Sequence, residues 1–318
     1  MKNIAVIGGG NIGRRHLQAL SRLSKNYALY LVDPSREAID LAIQMYEEVK
    51  TDKSPKLQQL DHIRSLPKKL FTVIIATNSN QRYPVTKALL DNNIKYIIFE
   101  KVLFQDKDEY KDVEYILRNR QIKSWVNCWR RVVPSYQKLK KKYEYDELTS
   151  FSVNGNNWGI TSNAIHFIDL LNYLTDSTQY QFVNNNINIM KSKRDGYYEF
   201  IGNLEGVFGK KKIPFSFTSN AADDSISYEI NLKYGKTLIT INDDEEWWIE
   251  NSSVNKSEKQ KIDIPFQSNM TQYHINDLAE KGTCKLTSFA KASELHLPMI
   301  NYFTKIFKQN DIPGCPIT

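Results

Sequence analysis

The sequence predicts an α/β protein in two parts. A doubly wound parallel sheet covers residues 1–124, and an α+β domain with a large, mostly antiparallel open sheet covers residues 125–318. Strands and helices alternate in the first part, which requires parallel strands joined by crossover helices. From about residue 180 to 266, strands follow one another with turns between them, which favours antiparallel pairing. The length is typical of two domains.

Apolar runs separated by periodic segments define the elements of the first domain. The continuous apolar run at 71–77 is typical of a strand buried in a parallel sheet. The short run at 60–65 does not distinguish strand from loop. The pattern predicts strands at 3–8, 27–33, 71–77, 96–101 and 122–127, with helices at 12–24, 35–49, 81–92 and 106–118.

The second domain begins with a mixed pattern. Turn sequences such as Arg194-Asp195-Gly196 and Lys233-Tyr234-Gly235 separate its later strands. The pattern predicts a strand at 148–156 and helices at 134–143, 162–174, 269–281 and 287–307.

The first predicted strand leads directly into Gly8-x-Gly10-x-x-Gly13, and Asp33 ends the second strand. Gly8 permits a sharp turn, Gly10 lets a pyrophosphate approach the backbone, and Gly13 lets the helix pack closely on the sheet. Asp33 follows at the spacing of about 20 residues at which an acid binds a ribose. Together these features predict a Rossmann fold that binds a dinucleotide.

The same motif indicates which cofactor binds. Asp33 would repel a 2′-phosphate, so we expect NAD, with NADP possible. Arg36 either softens that preference or is a solvated charge in the next helix. Asn11 and Ile12, at the start of the first helix, are expected to present N–H groups to the phosphates.

Composition excludes several other classes of protein. The net charge is +7, but the basic run at 138–142 is followed at once by acids, so we expect no nucleic-acid binding. Three widely spaced cysteines predict neither disulfides nor a metal site. No apolar run is long enough to cross a membrane, and the first strand leaves no room for a signal peptide. We therefore expect a cytoplasmic protein without a membrane partner.

Further motifs follow the glycine turn in a characteristic order. They are Ala76-Thr77-Asn78, Glu100-Lys101, Arg131-x-x-Pro134 and His166-x-x-Asp169. The sequence thereby resembles the Gfo/Idh/MocA family, named for glucose–fructose oxidoreductase and inositol dehydrogenase.

The resemblance implies NAD(P)-dependent oxidation or reduction of a sugar or cyclitol carbon. It also implies a homodimer or homotetramer assembled through the open sheet. Cofactor contacts are implied for Thr77, Asn78, Glu100 and Lys101.

Two residues are candidates for proton handling. His166 has the right chemistry for a general base, and a position in the first helical turn would keep it neutral. Its alternative is a histidine packed in the core. The Lys101 ammonium could stabilise an alkoxide, or be an exposed lysine at a strand end. Asp169, three residues after His166, could orient the imidazole or form a salt bridge.

The sequence departs from the family pattern at two positions. Val102 replaces a common proline, which restores a backbone N–H. Ser162 stands where a carboxylate is common, so an Asp–His pair cannot be assigned here. Ser162 and Asn163 are expected to support the site or bind substrate.

Substrate recognition is predicted from three further residues. Arg131 could bind an anionic group or form a salt bridge between the domains. Asn157 could bind hydroxyls, and Trp158 could stack on a sugar ring or pack in the core. The sequence thus predicts an oxidoreductase acting on an amino, acidic or nucleotide sugar. The alternative is a non-catalytic sensor on the same fold.

Overall fold

The computed structural model describes residues 1–222, 225–252 and 258–318. Strands and helices alternate up to residue 127, as predicted. The elements are β1 (Lys2–Ile7), α1 (Asn11–Leu20), β2 (Tyr27–Val32), α2 (Arg36–Glu47), β3 (Lys56–Leu60), β4 (Lys69–Ile75), α3 (Ser79–Leu89), β5 (Asn93–Phe99), α4 (Lys107–Asn119) and β6 (Lys123–Val126).

Strands dominate the middle of the remaining chain, and helices lie at its two ends. The elements are α5 (Pro134–Lys142), β7 (Leu148–Asn156), α6 (Ile160–Thr175), β8 (Tyr180–Lys191), β9 (Tyr198–Phe208), β10 (Ile213–Asn220), β11 (Ser227–Tyr234), β12 (Thr237–Asn242), β13 (Trp247–Asn251), β14 (Gln260–Lys261), α7 (Thr271–Lys281), β15 (Thr287–Ser288) and α8 (Phe289–Gln309).

The first sheet has the order β15-β6-β5-β4-β1-β2-β3. All its neighbouring strands pair in parallel except β15 with β6. This confirms the predicted doubly wound sheet, whose strand order reverses beside β1. The sequence pattern did not predict β3, because this edge strand is mostly polar and has no apolar run.

The second sheet has the order β14-β13-β12-β11-β7-β10-β9-β8. Its described pairs are antiparallel except β10 with β7, as predicted for a mostly antiparallel sheet. Phe217 of β10 faces α6, where its ring lies 6.1 Å from that of Phe167. The next residue, Thr218, points to the other face and donates a 2.9 Å hydrogen bond to Asn203. That face therefore carries polar side chains that bind one another.

The chain divides into two compact units. The first combines Met1–Asn127 with Pro265–Ala290, and the second combines Cys128–Ile264 with Lys291–Thr318. The sequence predicts one domain over 125–318, with a C-terminal helix that could pack back on the first domain. In the structure residues 265–290 join the first unit, whereas nearly all of α8 belongs to the second. The segment 265–290 joins the first unit because β15 extends the edge of the first sheet beside β6 and α7 packs against α1.

Candidate functional site

The glycine turn after β1 leaves no room for side chains at two of its three positions. Gly8 has a φ of +103°, and a Cβ there would lie 2.9 Å from the carbonyl carbon of Ala76. A Cβ on Gly13 would lie 1.8 Å from the carbonyl oxygen of Gly8. These two glycines therefore allow α1 to pack directly onto the turn.

Gly10 differs from the other two glycines. A Cβ there would meet nothing within 4 Å, so this glycine borders open space. Gly10 is also the N-cap of α1, with no side-chain hydrogen bond to the helix and no acid in its first turn. Asn11 and Ile12 are exposed at this helix start. Open space at an uncapped helix N-terminus fits the pyrophosphate of a dinucleotide.

Asp33 closes the other side of the turn. Its Oδ2 accepts a 2.6 Å hydrogen bond from the Gly9 amide, and its Oδ1 accepts one of 2.8 Å from the Ser35 amide. Each carboxylate oxygen keeps a lone pair for a ribose hydroxyl. Arg36 instead forms an exposed ion pair with Asp40 at 3.1 Å, which favours the solvated alternative.

A cavity of about 650 Å³ adjoins this carboxylate within the first unit. The Thr77 hydroxyl, also in its lining, is buried and has no hydrogen-bond partner among the described residues. Sequence reasoning missed one wall, the short polar segment 61–65, which follows the unrecognised strand β3. The lining consists of Ile7, Gly8, Val32, Asp33, Pro34, Asp61, His62, Ile63, Arg64, Ser65, Thr77, Val85 and Ala88.

Asn78, also expected near the cofactor, is the exposed N-cap of α3.

Glu100, just after β5, is buried in a polar network. Its Oε1 accepts hydrogen bonds from Asn127 Nδ2 at 2.6 Å and from His16 Nε2 at 3.0 Å. Burial would raise the pKa of Glu100, but His16, Asn127 and the charge of Arg82 together lower it below its usual value. Glu100 thus stays ionised and fixes the backbone next to Lys101.

Lys101 is partly buried at the carboxyl end of β5, and the Lys101–Val102 peptide is cis. Val102 and Leu103 are fully buried. Ligands bind at this edge of doubly wound sheets. The position therefore fits the expected role of Lys101.

His166 lies on α6 in the second unit and is 8% exposed. Because α6 begins at Ile160, His166 is not in the first turn. The expectation that the helix dipole keeps it neutral therefore loses its basis. Its ring lies 6.5 Å from that of Trp129, edge to face.

Asp169 and Arg131 form a buried ion pair within the second unit. Arg131 Nε donates to Asp169 Oδ2 at 2.9 Å, and Nη2 donates to Oδ1 at 2.8 Å. Arg131 Nη2 also donates to Asn172 at 2.9 Å. This geometry favours the salt-bridge alternative for both residues, although the bridge lies within one unit.

The start of α6 is capped by Glu199 of β9, a residue that sequence reasoning missed. Glu199 Oε2 accepts a 2.9 Å hydrogen bond from the Thr161 amide, and Oε1 accepts one from the Ser162 hydroxyl. Asn163 donates to the Trp158 carbonyl at 2.6 Å. A carboxylate thus lies beside Ser162, but it comes from another strand. Only tertiary structure reveals it, since 37 residues separate the two.

Asn157 and Trp158, which precede the N-cap residue Gly159 of α6, both make hydrogen bonds within the protein. Trp158 is 3% exposed and donates to the Thr218 carbonyl at 2.7 Å, so it packs in the core and offers no free face to a sugar. Asn157 has a φ of +47°, and its amide donates to the Ala222 carbonyl at 2.7 Å. Both therefore shape the turn into α6.

Over the described ranges, no three His, Cys, Asp or Glu side chains are arranged to hold a metal ion. No helix in the described part of the chain has the length and apolar character needed to span a membrane.

Comparison with known proteins supports the fold. A family model described as an oxidoreductase family with an NAD-binding Rossmann fold matches residues 2–128. Of the second unit, only Cys128 lies within that match. None of the curated proteins matches this chain in sequence.

Solved structures match over nearly the whole chain. UDP-N-acetylglucosamine 3-dehydrogenase GnnA from Acidithiobacillus ferrooxidans is 12% identical, with a TM-score of 0.73 over 94% of this chain and 95% of that one. The dehydrogenase MviM from Clostridium difficile is 13% identical, with a TM-score of 0.72 over 97% and 99%. The super-repressor mutant of Gal80p from Saccharomyces cerevisiae is 15% identical, with a TM-score of 0.71 over 98% and 96%.

At these identities the structural matches establish the shared two-part fold alone. The family match, the glycine turn and Asp33 agree on the first part of the chain. Residues 2–128 match the model of the Gfo/Idh/MocA oxidoreductase family, which has an NAD-binding Rossmann fold.

Proposed function

We propose that this chain is a cytoplasmic NAD(P)-dependent oxidoreductase that transfers hydride between nicotinamide and a carbinol or keto carbon of a sugar. The observation that carries the proposal is the open space beside Gly10 at the uncapped start of α1, with Asp33 across the turn. A dinucleotide fits this arrangement of N–H groups and a ribose-binding carboxylate. The similarity to a UDP-N-acetylglucosamine dehydrogenase supports amino, acidic or nucleotide sugars as the substrate class.

The protein's own chemistry in this proposal is proton handling. When bound, the nicotinamide ring accepts or supplies the hydride. Lys101 carries an ammonium that would stabilise negative charge on the substrate oxygen. His166 would take the hydroxyl proton during oxidation and return it during reduction. The Arg131–Asp169 pair would hold the helix that carries His166.

The test is turnover of a panel of nucleotide, amino and acidic sugars with NAD and with NADP. Lys101→Ala and His166→Ala should each lower kcat by about 10²-fold or more, the usual contribution of acid–base catalysis. The dissociation constant for NADH should change little, because neither residue belongs to the glycine turn. Ser162→Ala serves as the control and should cost much less. Near-normal turnover in His166→Ala would show that another group is the base.

Cofactor preference is tested separately by fluorescence titration of NADH and NADPH. Asp33 should make NADH the tighter ligand, since its carboxylate repels a 2′-phosphate. Equal or tighter binding of NADPH would contradict this role.

A second candidate function is a dinucleotide-binding sensor without catalysis. Ser162 in place of a helix carboxylate favours it, and regulators such as Gal80p share the fold. NADH binding without turnover of any sugar in the panel would support the sensor.

We further propose a homodimer or homotetramer assembled through the outer face of the second sheet. That face is polar, as Thr218, Asn203 and Glu205 illustrate, so its interface would rest on hydrogen bonds rather than on apolar burial. Sedimentation at micromolar concentration tests the proposal, and a monomer would contradict it.

A further inference from the structure

One buried side chain ties together the loops that follow two neighbouring strands of the first sheet. Arg82 on α3 is 2% exposed. Its Nη2 donates to the carbonyl of Thr77, which follows β4. Its Nη1 donates to the carbonyls of Val102 and Leu103, which follow β5, the latter at 3.2 Å. A single guanidinium thus bridges the carboxyl ends of β4 and β5.

The bridge depends on the shape of the arginine side chain. A guanidinium presents five donors in a rigid planar fork, whereas a lysine ammonium is a point on a flexible stem. An ammonium at position 82 could reach one loop but could not span both with the same geometry. The Val102 and Leu103 carbonyls accept in a buried environment and the Thr77 carbonyl in a partly buried one, and an unpaired buried carbonyl is costly.

Lys101 lies between two fixed points. On one side, His16 and Asn127 hold the Glu100 carboxylate. On the other side, Arg82 holds the carbonyl of Val102. The backbone of Lys101 is therefore restrained on both flanks, which limits where its ammonium can reach.

The same guanidinium acts on two residues of the proposed site. Thr77 lines the cavity beside Asp33, and Lys101 is the proposed proton-handling lysine. Gln105 supplies a weaker second tie between the same segments, since its Nε2 donates to Ser79 Oγ at 3.1 Å.

We propose that Arg82 is a positioning residue: by binding the backbone of both loops, it holds Lys101 and Thr77 in the positions that the reaction needs. This inference rests on the proposed function of Lys101. Displacement of a reacting group by about 1 Å can lower a rate by about 10²-fold, so loosening this bridge should act mainly on kcat.

The experiment compares Arg82→Lys with Lys87→Ala, a control on the exposed side of the same helix. Hydrogen exchange by mass spectrometry, without ligand, follows the segments around 77–79 and 101–104. Arg82→Lys should raise exchange in both segments together, and Lys87→Ala in neither. The NADH dissociation constant should stay within about threefold, while kcat with the sugar found in the panel should fall by about 10²-fold.

Each outcome decides the proposal. Unchanged exchange in both segments would overturn it, with or without a known sugar substrate. Raised exchange with unchanged kcat would also overturn it and leave the proposed function standing. If wild-type protein turns over no sugar, the proposed function fails, while raised exchange in both segments still supports the restraint by Arg82. If Arg82→Lys does not fold, Gln105→Ala should show the same pattern at smaller size, and no change in it would count against the proposal.

Discussion

The helices α1 and α6 share two features at their N-termini but differ in what surrounds them. Both have a glycine as N-cap, Gly10 and Gly159, and neither has an acid in its first turn. The start of α1 borders open space, whereas the start of α6 is filled by the Glu199 carboxylate of β9. The first helix therefore offers its amides to an anionic ligand, and the second has its anion supplied by the protein.

This difference bears on how each unit takes part in the proposed reaction. In the proposed function, the first unit would bind an anion through backbone groups, which need glycines and a helix start. The second unit presents a side chain, His166, from a helix whose start and side are held by Glu199 and Arg131. Anion binding at the start of α6 would have to displace Glu199.

The largest expected effect comes from comparing alanine substitutions at two glycines of the α1 turn, one packed against the backbone and one beside open space. Gly13→Ala places a methyl group 1.8 Å from the Gly8 carbonyl oxygen, so it should destabilise the protein by about 3 kcal/mol or more. Gly10→Ala meets nothing within 4 Å and should fold normally. Its methyl group projects where the pyrophosphate would lie, so the NADH dissociation constant should rise by about tenfold or more.

Urea unfolding and NADH titration of both variants check these expectations. Normal NADH affinity in a well-folded Gly10→Ala variant would show that the open space beside α1 is not the phosphate site. A stable Gly13→Ala variant would show that the helix can move away from the turn.

The contrast also explains what could be predicted from the sequence. The α1 site is local, because Gly8, Gly10, Gly13 and Asp33 have fixed spacing. Backbone packing requires Gly8 and Gly13, and the expected ligand requires Gly10 and Asp33. The α6 site depends on contacts between distant segments, such as Ser162 with Glu199, which no spacing rule identifies. The wall at 61–65 was missed for a related reason, since its polar residues give no periodic signal.

The contacts that individual side chains make were equally hard to predict from the sequence. Trp158 could stack on a sugar, but its side chain is buried in the core. Arg131 could bind an anion, but its guanidinium binds the Asp169 carboxylate. Residue type limits what a side chain can bind, whereas burial decides whether it is available.

The next prediction concerns the loss of folding stability at acidic pH that is caused by a histidine on α7, the helix that packs against α1. His274 of α7 is buried, and burial together with the charge of His16 lowers its pKa to about 4, despite an opposing effect of Asp277. Between about pH 6.5 and 4 the unfolded chain binds a proton at this histidine that the folded chain does not. Stability should therefore fall by about 3 kcal/mol as the pH drops through this range, with no further loss from this group below it.

Urea unfolding at pH 7 and pH 4 measures the loss in the wild type and in His274→Gln. The variant should lose less stability between the two pH values, whatever its stability at pH 7. Equal losses in both proteins would show that other groups cause the acid sensitivity. The lowered pKa of Glu100 acts in the same direction, since its stabilising charge is lost as the pH falls.

The smallest expected effect tests the cap on α6. Glu199→Gln removes the charge at the helix start and one of two acceptor oxygens, so it should cost about 1 kcal/mol. Glu205→Gln is the matched control: it lies on the same strand, and its carboxylate accepts hydrogen bonds from Asn203 and Asn184. Urea unfolding should separate the two variants, and NADH affinity should stay unchanged in both because the α1 site lies in the other unit. Equal stability losses at 199 and 205 would mean that Glu199 contributes no more than a strand carboxylate that binds side-chain amides. The Glu199 carboxylate would then fill the start of α6 without adding to the free energy of unfolding.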